Sequence, residues 1–126
     1  MKRNLDLIRQ IMLRIEASDK DSFYAEDFKD LTDNEKELRY NLHLMYEAGM
    51  IEASQIDVMG SMLPEYRIYW LTNNGCDFLG DIRDKSIWSK TKDTLTKIGT
   101  NAALDVVSTV AKAVIKSSLS SYLQLQ

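Results

Sequence analysis

The sequence predicts a mainly α-helical chain with one small β-hairpin, and three observations carry that prediction. Leu38, Leu42 and Met45 recur at i, i+4 and i+7, so they line one face of a helix. Gly49 closes the run where a left-handed helix terminus is expected. Directly afterwards, Met50 to Ile56 and Tyr66 to Leu71 carry β-branched and aromatic residues, separated by a loop that contains Gly60 and Pro64. A helix stopped by glycine and feeding straight into a two-stranded wing is the centre of a winged helix-turn-helix domain. The expected organisation is a winged helix over residues 1–83 and a C-terminal helical extension over residues 84–126.

Each element has its own signal. Leu5, Ile8, Ile11, Met12 and Ile15 form the stripe of a first helix that is preceded by Asn4 or Arg3 and ends near Ala17, with Arg9 and Arg14 off the stripe. Asp19 to Ser22 reads as a turn and Phe23-Tyr24 as a short first strand. Asp27 to Leu31 reads as a brief second helix with Phe28 and Leu31 turned inward. Thr32 or Asp33 is the expected cap of the third helix. After the hairpin, Thr72 caps a helix carrying Cys76, Phe78, Leu79 and Ile82. Asp84 breaks it, and Asp84 or Ser86 starts another that runs from Ile87 to about Ile98. Gly99 stops that one, and a last helix from about Ala102 to Leu123 spans roughly 30 Å.

Composition bounds the class. At 126 residues, with 44% hydrophobic and 28% charged residues, the chain has the balance of a soluble globular domain with an appendage. No charged segment followed by an apolar run opens it, and the single Cys76 has no internal partner, so a reducing cytoplasm is expected. No window approaches 18 uninterrupted apolar residues, so no membrane span is expected. The net charge of −3 is lopsided. Residues 1–84 hold ten Lys/Arg against seventeen Asp/Glu, whereas residues 85–126 hold six against two. The hairpin-bearing part is acidic and the tail basic.

Catalytic signals are missing. There is no glycine-rich phosphate loop, no zinc-like Cys/His spacing and no nucleophile elbow. Cys76 is expected as a small buried hydrophobe, His43 as a solvated or capping imidazole, and Asp81 with Asp84 as part of a solvated face. Trp88 is expected to anchor the core between domain and tail. No catalytic residue, metal or cofactor is assigned, and the chain is not expected to be an enzyme.

Three stretches carry a resemblance: Met1-Lys-Arg-Asn-Leu-Asp-Leu-Ile-Arg9, Tyr40-Asn-Leu to Glu47-Ala-Gly-Met-Ile-Glu-Ala53, and Leu71-Thr through Gly75, Phe78-Leu, Ile82-Arg-Asp and Ile87-Trp to Lys92. They resemble a family of small bacterial and phage winged-helix proteins of unknown function, found in prophages and mobile elements. The resemblance covers nearly the whole chain, and Ile82-Arg-Asp with Ile87-Trp-Ser-Lys-Thr-Lys92 is its most specific part. It implies a fold and a phage setting, and no activity.

The function therefore turns on what the third helix presents. With Leu38, Leu42 and Met45 inward, the outward face is Asp33, Lys36, Glu37, Tyr40, His43 and Glu47, flanked by Arg39 and Tyr46. Lys36, Arg39, Tyr40 and His43, with Arg67 on the wing, are the residues expected to meet duplex DNA. Three carboxylates on the same face oppose the phosphate neutralisation that supplies most DNA affinity. The first reading is a phage- or prophage-type regulator that binds DNA. The alternative is a winged-helix adaptor or inhibitor that binds a host or phage protein without touching DNA. At the wing tip, Met59, Met62 and Leu63 could serve as adaptable methionines for protein contact, but the preferred expectation is that they fold back over the first helix and cover core. In the tail, Ala103, Val106, Val107, Val110, Val114 and Ile115 form an apolar stripe expected to pair with a second copy as a homodimer.

Overall fold

The computed structural model describes residues 1–99 and 103–124. The chain divides into two compact units, Met1–Asp77 and Phe78–Gln126.

In the first unit, helix α1 spans Leu5–Ala17. It starts where it does because Asn4 is extended and its side chain accepts a hydrogen bond from the Leu7 amide at 3.0 Å. Leu7, Ile8, Ile11, Met12 and Ile15 are buried, and so is Arg9, which the apolar spacing placed off the stripe. An arginine stem of three methylenes can be covered in this way. A 3-10 helix follows at Ala25–Leu31. The expected strand at Phe23-Tyr24 is reduced to a single bridge, in which Phe23 and Ile68 exchange backbone hydrogen bonds of 2.8 Å. The cause is local: the Tyr24 amide donates to the Asp27 carboxylate at 2.8 Å, and the Tyr24 carbonyl accepts from the Asp27 amide at 2.9 Å. Both groups are thereby withdrawn from a ladder and spent on starting the 3-10 helix. Phe28 is fully buried beneath it, 5.8 Å from the Phe23 ring.

Helix α2 spans Glu35–Glu47. Its cap is Asn34, whose side chain accepts from the Glu37 amide at 3.1 Å, whereas Thr32 accepts from Asn34 itself at 3.2 Å. Neither Thr32 nor Asp33 is the cap. Leu38, Leu42 and Met45 face the core as their spacing predicts, joined by a fully buried Asn41. Gly49 adopts φ +71 and the Met50 amide reaches back to the Met45 carbonyl at 2.9 Å, closing the helix. Strands β1 (Ile51–Ile56) and β2 (Glu65–Leu71) then pair antiparallel, from Ile51 opposite Leu71 to Ile56 opposite Glu65. The register shifts between Glu52 and Ala53, which face Trp70 and Ile68, so Tyr69 is the extra residue of a bulge. Tyr66 and Ile68 point into the core, and past the bulge Trp70 is left 59% exposed.

Helix α3 spans Asn73–Ile82. Thr72 opens it as expected, accepting from the Gly75 amide at 3.0 Å and donating to the Gly49 carbonyl. Gly75 is required here, because a Cβ would overlap the Met50 carbonyl oxygen. Cys76 is exposed and not the buried hydrophobe expected, since it falls on the outer side of this first turn.

In the second unit, Phe78, Leu79 and Ile82 are buried. Asp84 caps helix α4 (Lys85–Lys97) by accepting from the Ile87 amide at 2.9 Å. Trp88, Thr91 and Leu95 form the buried side of α4. Helix α5 spans Leu104–Gln124, packs along α4 and buries Leu104, Val107 and Ala111. The start expected for it at Ala102 lies outside the described residues.

Candidate functional site

Four of the five residues assigned from the sequence lie on α2 and the fifth on β2. Lys36 lies on the first turn and is exposed. Arg39, one helical turn on, is half-buried and turned toward the hairpin loop. Its guanidinium donates to Ser61 Oγ at 3.2 Å and to the Leu63 carbonyl at 2.9 Å, while its Nε is buried without a partner. Ser61 Oγ in turn donates to the Leu63 carbonyl at 2.9 Å. Tyr40 is half-buried. His43 sits over the inner face of the hairpin, with Nδ1 2.6 Å from the Tyr66 hydroxyl and Nε2 3.3 Å from a Glu47 oxygen. Tyr46 adds its ring 4.9 Å from that of Tyr66. Burial raises the Tyr66 phenol above its ordinary pKa. Strand alternation turns Arg67 to the opposite side from Tyr66, exposed and 5.4 Å from the Tyr69 ring centre.

The five residues therefore do not converge on one surface. Arg39 and His43 are engaged in fixing the hairpin to α2. Lys36 and Arg67 are exposed, but Arg67 projects from the opposite side of the hairpin to the residue that His43 holds. Beside α2, a crevice of about 660 Å³ is lined by Tyr24, Leu38 and Tyr66, with Glu26, Asp33, Glu35 and Glu65 outnumbering Lys29 and Arg39. Arg9, one of the N-terminal cations, is only 5% exposed.

Two features differ from what the sequence was expected to give. Asn41 accepts from the Asn4 amide at 2.7 Å and donates to the Glu37 and Lys2 carbonyls at 2.8 and 3.3 Å, which ties the start of α1 to α2. Its position three residues after Leu38 was the available signal, since i+3 shares the inward arc. The second is the hairpin tip. Met59 and Met62 are 101% and 100% exposed and do not fold back over α1. The reason is the turn at Val58–Ser61, where the Ser61 amide donates to the Val58 carbonyl at 3.1 Å and Gly60 holds φ +81. Arg39 fixes that turn from below.

In the tail, the six residues of the expected pairing stripe separate. Val107 is fully buried within the chain, Val110, Val114 and Ile115 are half-buried, and Ala103 and Val106 are exposed. Farther along, Leu119, Tyr122 and Leu123 are 53%, 60% and 57% exposed at i, i+3 and i+4. Among the described residues, no group of His, Cys, Asp and Glu is arranged to hold a metal ion. No helix among them is long and apolar enough to cross a membrane.

The features so far define a mainly helical protein in which one helix carries a two-stranded hairpin. The chain belongs to the family described as hypothetical protein (DUF2513), which matches residues 2–101. It is also similar to an uncharacterized protein of Haemophilus influenzae, 31% identical over 121 residues that cover 94% of this chain and 99% of the other. No solved structure matches it.

Proposed function

We propose that the chain is a cytoplasmic winged-helix regulator of phage or prophage type that acts by binding another protein and carries out no catalytic step of its own. The element order supports the winged-helix reading: α1, a 3-10 helix, α2, then a hairpin whose second strand receives the Phe23 bridge. The phage setting rests on the resemblance in the sequence. The observation that carries the protein-binding reading is the use made of Arg39. The arginine best placed to read a base is bonded to Ser61 and Leu63, leaving α2 with Lys36 against Glu35, Glu37 and Glu47.

A second reading, DNA binding, is favoured by the exposure of Lys36 and Arg67 around a helix that this fold offers to a major groove. Fluorescence anisotropy of the full chain against a mixed-sequence duplex, titrated with salt, separates the two. Protein binding predicts no association at low salt and micromolar protein. Duplex binding with a log–log salt slope of about −2, the value for two phosphate contacts, supports DNA and overturns the proposal.

The proposal includes a homodimer formed through α5. Because Val107 is buried within its own unit, an acidic residue there would damage the fold before it tested any interface. Val106→Glu with Leu119→Glu, at exposed positions, is the informative pair, and light scattering should report a dimer becoming a monomer.

A further inference from the structure

We propose that the hairpin tip is a docking element for a partner protein whose apolar surface is bordered by lysine and arginine side chains, an assignment that rests on the protein-binding reading above. Exposed hydrophobic residues scattered singly on a surface carry no meaning. Here Met59 and Met62 are both completely exposed within four residues, and Ile56 and Val58 on the same arm are 40% and 37% exposed. Methionine is unbranched and polarisable, adapts to an irregular apolar surface, and is enriched at the centres of protein interfaces.

The presentation is built. Gly60 supplies the positive φ that the turn needs, and the Ser61 amide closes that turn onto Val58. Arg39 reaches up from α2 to Ser61 Oγ and the Leu63 carbonyl, so the loop is attached to the rigid part of the unit. A loop held this way loses less conformational freedom on binding than a free one, which raises affinity for a given contact area.

Charge selects the occupant. From Asp57 to Tyr66 the chain carries Asp57 and Glu65 and no lysine or arginine, and the Arg39 guanidinium brought to the loop is half-buried beneath it and bonded to Ser61 and Leu63. Methionine can wedge between base steps in a minor groove, but proteins that do so hold the backbone with cations. Insertion into an anionic bilayer likewise needs basic residues around the apolar ones. Two carboxylates flanking an apolar tip complement a cationic rim, and the carboxylate-rich crevice at Glu26, Asp33, Glu35 and Glu65 extends the same sign along that side of the unit.

The test uses the full chain with ¹³C-methyl methionine and four probes. These are an amphipathic helical Leu/Lys peptide, its Leu/Glu counterpart, a mixed-sequence duplex, and phosphatidylglycerol vesicles. The Met59 and Met62 methyl signals should shift with the Leu/Lys peptide alone. Met59→Ala and Met62→Ala, with circular dichroism unchanged, should each weaken that binding by ~10-fold. Equal response to both peptides, response of the two methyls to duplex or vesicles, or no response to any probe at about 1 mM overturns the assignment. A Leu/Lys peptide that binds while the tip methyls stay still overturns the tip and leaves the protein-binding reading standing. Duplex that shifts the Lys36 and Tyr40 amides overturns that reading and leaves the tip to be judged on its own methyls.

Discussion

Replacing Arg39 with methionine separates two roles open to this side chain, fixing the hairpin tip and contacting a nucleic acid. Methionine keeps an apolar stem of similar length, so the change mainly removes the guanidinium. Lost with it are the bonds to Ser61 Oγ at 3.2 Å and to the Leu63 carbonyl at 2.9 Å. A hydrogen bond to a charged group nets about 1.5–3 kcal/mol when well formed. Two considerations lower the expected sum. Arg39 is half-buried, so water can replace part of what is lost, and its Nε is already buried without a partner, a cost that the substitution relieves. The expected loss is therefore about 1–2 kcal/mol in urea denaturation, with an unchanged m-value. The local consequence is larger in proportion. The Ser61 amide, bonded to Val58 across the turn, should exchange its hydrogen at least ~10-fold faster, because opening the tip no longer has to break the tie to α2. A stability change below about 0.3 kcal/mol together with unaltered exchange at Ser61 would refute the tether. If the same variant instead lost duplex binding with its exchange pattern intact, the side chain would be a reader of DNA.

Four further substitutions test the packing around α2 and the hairpin. Asn41→Ala removes three hydrogen bonds at a fully buried site and strands the Asn4 amide, so it should cost about 2–4 kcal/mol by chemical denaturation. Asp27 is held below the usual carboxylate range by its bond to Lys20 and by the Tyr24 amide, and Asp30 by its bond to Arg14. Because these folded-state values are depressed, the stability they contribute is full above the unfolded carboxylate pKa of about 3.9 and is lost as pH falls through the lower folded values. Asp27→Asn should cost about 1 kcal/mol at pH 7 and flatten the acid limb of a stability-versus-pH curve below about pH 4, which thermal denaturation can follow. Gly75→Ala places a methyl on the Met50 carbonyl oxygen and should cost about 2–4 kcal/mol, whereas Gly80→Ala, with open space around it, should stabilise α3 slightly.

What the sequence revealed was set by range. The apolar spacings of α1 and α2, the glycine stop, the hairpin and the Asp84 cap each depend on residues a few positions apart, and the structure contains them. The cap of α2 was misplaced because Thr32, Asp33 and Asn34 are all competent caps, and local propensity cannot rank them. The first strand was overestimated because alternation cannot show that Asp27 would capture the Tyr24 amide. The contacts between α2 and the hairpin were the least legible part. Arg39 meets its partners 22 and 24 residues away, and His43 meets Tyr66 at a separation of 23. On a helical projection these residues point outward. Only the folded-back hairpin shows that outward here means toward another element.

These contacts have a physical consequence for the face that α2 presents. A helix that reads DNA keeps its long polar side chains free until the groove arrives. Here Lys36 stays exposed, but α2 commits Arg39 to the loop and His43 and Tyr46 to Tyr66 near the start of β2. One attachment at the loop and one near the start of β2 tie the hairpin to α2 at both places. Force or binding at Met59 and Met62 is then borne directly by α2. The same arrangement explains why the apolar residues stand at the tip. With these polar groups committed inward, the exposed end of the hairpin is the part free to vary its contact chemistry without disturbing the core. Exchanging Met59 and Met62 for serine should accordingly leave thermal stability within about 0.5 kcal/mol of the parent, while Tyr66→Phe, which removes the hydroxyl from His43, should lower it by about 1 kcal/mol. Equal losses in the two variants would mean that the tip contributes to the fold, and the division between a structural α2 face and a free tip would fail.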